Sequence, residues 1–200
     1  MTMTDEQSAD RPESLGQRQA AMHRDYFDRA KAAVEEGFYL EAVFLEYAAI
    51  EGRLEVLLGI LGAPCNRKLD GSMRSQVKIS HRIDCLRYCR RNNQTLFEAA
   101  KLPDSFFADK GELKQWIRNR NVFVHGLYKN ADEYQSRREN AEKLSIDGLE
   151  YSRLLYNEAK RLNRLLKNHP EQFDGLHRKC RNSSCVAAEG KTKENREVPT

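Results

Sequence analysis

Apolar residues along this chain return at helical spacing, and alternating runs of the strand type are scarce. Leu15 to Glu36 reads as one helix, with Gly37 as its natural stop. Phe38 to Leu58 is the most apolar segment, interrupted by Glu41, Glu46, Glu51 and Glu55. Gly62, Pro64 and Gly71 mark Gly59 to Gly71 as a loop. Ser75 to Ala100 is helical again, with a break expected near Asn92-Asn93, and Pro103 resets the chain. A capping box then opens the next helix, with Asp109 as the cap and Glu112 reaching back. Gly126 is its expected end. Asn130 to Leu144 is charged and undecided. Ser145 is expected to cap a last helix, in which Leu155, Ala159, Leu162 and Leu166 share a face and which Pro170 ends. Val122-Phe123-Val124 is the one short β-leaning run, and no internal repeat is evident. The pattern predicts an all-α bundle of about five helices with flexible termini. Residues 1–14 form a polar, disordered segment, 15–170 the helical domain, and 171–200 a flexible tail with little to bury.

One position breaks the pattern. Wound at about 100° per residue, Leu113, Trp116, Ile117, Phe123, Val124 and Leu127 form a single apolar stripe, and Arg120 falls near its middle. A guanidinium keeps its charge and is rarely buried without a partner. Asn121 and His125, four apart, flank the stripe, with Arg118 and Tyr128 nearby. Structural helices seldom need a fixed cation, an amide and an imidazole on one apolar edge.

Composition narrows the field. Two hundred residues suit one domain with tails. The hydrophobic share of 40% and charged share of 32% are polar but sufficient for one modest core. A net charge of +4 permits a nucleic-acid partner without demanding one. That charge is unevenly placed. Val34 to Ile60 holds six glutamates and one arginine, whereas Asn66 to Lys101 holds nine Lys/Arg against three acids. Two mutually complementary helices explain this, and so does a basic surface for phosphates. The first fourteen residues lack the apolar segment of a secretory signal, and no run approaches a membrane span. With five unevenly spaced cysteines, free thiols in a reducing cytoplasm and no membrane partner are expected.

Metal and nucleophile motifs are weak. His81, Cys85 and Cys89 share a helical face, but the outer two lie about 12 Å apart along the axis. One zinc ion cannot reach both, so these read as small core residues. His169, His177, Cys180 and Cys185 match no compact finger spacing. There is no Walker loop, dinucleotide glycine fingerprint, nucleophile elbow or His-Glu-x-x-His pair, and neither cofactor nor metal is expected.

Arg120-Asn121-Val122-Phe123-Val124-His125 resembles the Arg-polar-x-x-x-His signature of the HEPN family, small all-α proteins that include many metal-independent endoribonucleases of toxin and defence systems. Glu41 to Leu58, with Ala48-Ala49-Ile50-Glu51, is similar to the family's early helix. The resemblance spans Leu15 to Lys167. The bare spacing of Arg, four residues and His also occurs at Arg18 to His23 and at Arg164 to His169. Only the copy at Arg120 has an asparagine next, an apolar helix with aromatic residues around it and a glycine after the histidine.

The resemblance implies RNA as substrate and cleavage through its own 2′-hydroxyl, giving a 2′,3′-cyclic phosphate and a 5′-hydroxyl. His125 would act as base or acid, since imidazole titrates near neutral pH. Arg120 would hold the non-bridging oxygens with paired donors, and Asn121 would orient phosphate or imidazole. Arg120 and His125 stand about 140° apart on an ideal helix. Either the helix bends or ends near Val124, or two chains supply the groups. HEPN nucleases resemble the second case, and Trp116 and Phe123 would then partly line a homodimer interface. Glu51 and Glu46 are the candidate acidic partners of Arg120, with Glu51 preferred. Arg118 either grips the RNA backbone or is a solvated charge. Tyr128 either contacts RNA or is a core-edge aromatic. It lies three residues after the histidine, where some family toxins place a modified tyrosine at two, so regulation by adenylylation is not carried over. Two other functions compete. One is a non-catalytic HEPN-like module, dimerising or binding an antitoxin or other partner protein, with Arg120 in an ion pair and His125 capping the helix. The other is a nucleic-acid-binding regulator using the basic Asn66 to Lys101 segment, for which no recognition-helix motif is present.

Overall fold

A computed structural model describes residues 15–62, 78–98, 100, 102–126 and 134–173, with the backbone alone at 15–20, 134, 135 and 137. The described residues are all-α, as the spacing predicts. They form α1 (Leu15–Glu35), α2 (Tyr39–Ile60), α3 (Ile79–Asn92), the single turn α4 (Gln94–Phe97), α5 (Glu112–Gly126) and α6 (Tyr134–Asn168). Short 3-10 turns lie at Asp104–Phe107 and Pro170–Phe173. Residues 1–14 and the tail beyond 173 lie outside the described residues.

The most apolar helix is the central one. α2 packs against α6, α1 and α3, while α5 lies on α6 and on the 3-10 turn before it. Val43, Ile50, Leu54, Leu57 and Leu58 of α2 are fully buried. They meet Ile83 and Leu86 of α3, Leu113 of α5, and Leu155 and Leu162 of α6 in one core. Phe106 and Phe107 close its end edge to face, and Phe106 meets Tyr151 in the same way.

Helix ends follow local chemistry. Gly37 takes φ +80°. The Phe38 amide donates to the Ala33 carbonyl and the Gly37 amide to that of Val34, the double closure of a Schellman motif. α3 breaks at Asn93, where the Asn92 and Asn93 side-chain amides donate to the Tyr88 and Cys89 carbonyls.

Two expected caps are corrected. α5 starts at Glu112, so Asp109 stands ahead of the cap position, and its carboxylate takes Lys114 and Arg87 instead. Ser145 opens no helix. It lies buried inside the 35-residue α6, where its hydroxyl donates to the Glu142 carbonyl. The last helix therefore includes much of the charged stretch before Leu144, because Ala141 and Leu144 supply a buried face.

Candidate functional site

α5 begins in the core and ends at the surface. Leu113, Trp116 and Ile117 are buried, Phe123 and Val124 half-buried, and Val122 is 75% exposed. Trp116 donates from its indole nitrogen to the Leu144 carbonyl at 2.8 Å. That hydrogen bond places it in its own chain's core and corrects its expected place in an interface. Arg120 sits where the stripe leaves the core.

Its guanidinium lies on two rings of α2, 4.3 Å from the Tyr47 centroid and 5.1 Å from that of Phe44. Among the described residues its one side-chain hydrogen bond runs from Nη1 to Asn121 Oδ1 at 3.1 Å. Its Nε is buried without a partner, and among the described residues no carboxylate pairs with it. Burial lowers its pKa, an effect that the Tyr47 phenol opposes. Ring faces thus hold this cation, and among the described residues no counter-charge does.

Neither expected acid pairs with Arg120. Glu51 is within 3.5 Å of Arg82, which also donates to the Glu51 carbonyl. Glu46 is 1% exposed, and neither carboxyl oxygen has a hydrogen-bond partner. Burial, then the charge of Asp147, pushes its pKa to about 9, so it is a neutral acid at pH 7. Gly148 of α6 gives it room, since a Cβ there would collide with the Glu46 carboxyl and come 2.9 Å from Trp116 Cζ2.

Asn121 and Arg118, one turn apart, open on a cavity of about 330 Å³ whose wall includes Tyr47, Lys78, Ser80 and Lys114. Tyr47 therefore bears Arg120 and also faces the cavity. Lys114 brings little free charge, because Asp84 and Asp109 both hold its ammonium. Those hydrogen bonds raise its pKa against the effect of burial and depress that of Asp109 to about 2. Lys78 and Arg118 are exposed.

His125 is exposed in the last turn of α5, which stays helical to Gly126. The helix thus ends at Gly126, as expected, and not near Val124, so one helix carries both groups. Five residues on, the imidazole stands about 7.5 Å farther along the axis and about 140° around it. Tyr128 lies outside the described residues.

The described basic segment supports helix complementarity. Arg82 pairs with Glu51 and Glu55, Arg87 with Asp109, and Arg90 with Asp104 and Glu158. Cys85 and Cys89 are buried core residues, with His81 Nε2 3.6 Å from the Cys85 sulfur. Cys180, Cys185 and His177 lie outside the described residues, and His169 faces Glu171 at 3.3 Å. Among the described residues no helix is long and apolar enough to cross a membrane.

Sequence reasoning missed the aromatic platform. Phe44 and Tyr47 stand three apart on α2, a helical-face pair that is visible in the chain. Their meeting with Arg120 joins distant segments, and no spacing rule encodes it. Comparison with protein-family models, with curated proteins and with solved structures finds no match.

Proposed function

We propose that this chain is a metal-independent endoribonuclease of HEPN type, acting as a homodimer in a toxin or defence setting in the cytoplasm. The observation that carries the reading is Arg120: a half-buried cation held by rings and an amide, with no carboxylate partner among the described residues. A phosphate would supply the missing charge, and the planar fork suits its non-bridging oxygens. Asn121 is positioned beside it, and Arg118 and Lys78 add exposed cations around the adjoining cavity.

In this reading the RNA 2′-hydroxyl loses its proton to His125 as its oxygen bonds to phosphorus. The bond from phosphorus to the 5′-oxygen breaks, and that oxygen takes a proton. Arg120 neutralises charge on the phosphoryl oxygens. An α5 that stays helical through His125 separates the two groups, so the proposal draws His125 from one chain and Arg120 from its partner. Exposed Phe44 beside Arg120, and exposed Val122 on the outer side of α5, provide apolar surface for that contact.

The test is cleavage of single-stranded RNA by purified protein in EDTA. Cleavage that vanishes in His125→Ala with the circular dichroism spectrum unchanged supports the reading. Intact protein that leaves varied RNA substrates uncut overturns it. Ring packing of Arg120 also favours a second reading, a non-catalytic helical module. That reading expects Arg120→Ala to lower stability, and His125→Ala to change no function of the system.

A further inference from the structure

We infer that the chain has a second anion site, a cavity between α1, α2 and α6 that takes a phosphomonoester bearing an aromatic body, of about the size of a nucleoside monophosphate. The site rests on neither His125 nor RNA cleavage. Its volume is about 360 Å³, and Arg24, Phe27, Arg53, Ser152, Tyr156 and Asn157 form most of its wall. Such a volume is within the usual range for small-molecule sites.

Arg53 is the reason to expect an anion. It is 7% exposed, its Nε is buried without a partner, and it makes no hydrogen bond to another described residue. A buried guanidinium without a counter-charge is costly, and proteins seldom retain one idle. Its visible contact is the Tyr156 ring, 4.6 Å from the guanidinium carbon. Nearby acids are engaged elsewhere. Glu150 grips Arg153 through both oxygens at 2.7 and 2.8 Å, and Glu55 faces Arg82. Asp28 is the one carboxylate on the cavity wall, and it forms no ion pair with Arg53. Arg24 on the same wall offsets its charge.

His23 adds nothing negative. Burial, then the charge of Arg53, lowers its pKa, so the ring stays neutral at pH 7. It packs against Gly52, where a Cβ would strike the ring, so α1 lies close on α2 beside the cavity. The remaining wall fits a two-part ligand. Ser152 and Asn157 offer neutral hydrogen-bonding groups beside the cations, and Phe27 and Tyr156 offer ring faces. Arg53 lies nine residues after Phe44, about half a turn around α2, so this cavity and the Arg120 surface use different faces of that helix.

The test uses the full chain with adenosine 5′-monophosphate, adenosine and inorganic phosphate at matched ionic strength, read by thermal unfolding and NMR. The monophosphate is expected to raise Tm and to show magnetisation transfer to the Phe27 and Tyr156 rings. The other two probes are expected to do less. Arg53→Met should weaken binding roughly tenfold or more while leaving the free protein at least as stable. Arg120→Met should leave magnetisation transfer to the Phe27 and Tyr156 rings as in wild type. Absence of a monophosphate response at millimolar concentration overturns the site, as does wild-type affinity in Arg53→Met. An equal response to inorganic phosphate overturns the aromatic half. If Arg53→Met does not fold, magnetisation transfer in the wild type decides: transfer to those rings supports the site, and its absence rejects it.

Discussion

Arg90 on α3 and Arg120 on α5 each lay a guanidinium on two aromatic rings. Arg90 lies 4.7 Å from the Phe97 centroid and 5.2 Å from that of Phe107. Arg120 lies 4.3 Å from Tyr47 and 5.1 Å from Phe44. They differ in what answers the charge. Arg90 donates from Nε to Asp104 at 2.9 Å and from Nη2 to the Leu102 carbonyl at 2.6 Å, with Glu158 at 3.8 Å from Nη1. Among the described residues, Arg120 has the Asn121 amide oxygen alone. Rings lower the cost of desolvating a cation, but a carboxylate decides whether it is spoken for. The first arginine is structural on this criterion, and the second is open to an anion from outside.

Four measurements sharpen or break that contrast. Arg90→Met removes one partner of a buried set and should cost about 3 kcal/mol in denaturant unfolding. A loss below about 1 kcal/mol would mean that the ion pairs contribute little beyond ring packing. Gly148→Ala tests the acid that Arg120 does not use. Crowding Glu46 and Trp116 should cost about 2 kcal/mol by the same assay. Unchanged stability would show that the Glu46 pocket is loosely packed.

Glu46 itself should show in a pH series against Glu46→Gln. Its pKa is about 9 in the fold against an ordinary 4.5. The native state therefore keeps a proton that the unfolded chain releases between those values. Wild type should lose stability relative to the variant as pH rises through this window, by about 1 kcal/mol per pH unit, and should keep its full share below it. A flat difference curve would place a counter-charge near Glu46. The smallest stability change belongs to Arg120→Met, which should alter unfolding by no more than about 1 kcal/mol while abolishing the proposed RNA cleavage. A loss as large as that of Arg90→Met would make Arg120 a structural residue and end the contrast.

Much of the fold was legible because it depends on local spacing. The stop at Gly37, the break at Asn92-Asn93 and the buried face of Leu155, Ala159 and Leu162 follow from residues a few positions apart. The reading failed where a residue had two local uses. Ser145 can cap a helix or donate back inside one, and the buried Ala141 and Leu144 around it decided for the second. Asp109 can cap or pair, and Lys114 and Arg87 claimed it from 5 and 22 residues away. At the candidate site, periodicity located Arg120 near the middle of an apolar stripe. It offered Glu46 and Glu51 as partners on charge alone, and burial kept the first protonated while Arg82 took the second.

The amino-acid order by itself determined that this chain forms helices, where most of them stop, and that α5 carries a cation, an amide and an imidazole on one stretch, because each depends on angles repeated every few residues. Only the tertiary structure decided which charges are answered. It laid Arg120 on Phe44 and Tyr47, enclosed Arg53 beside Tyr156 and left Glu46 without a donor. Desolvation and pairing depend on neighbours brought in from distant segments, and those exist only once the helices have packed.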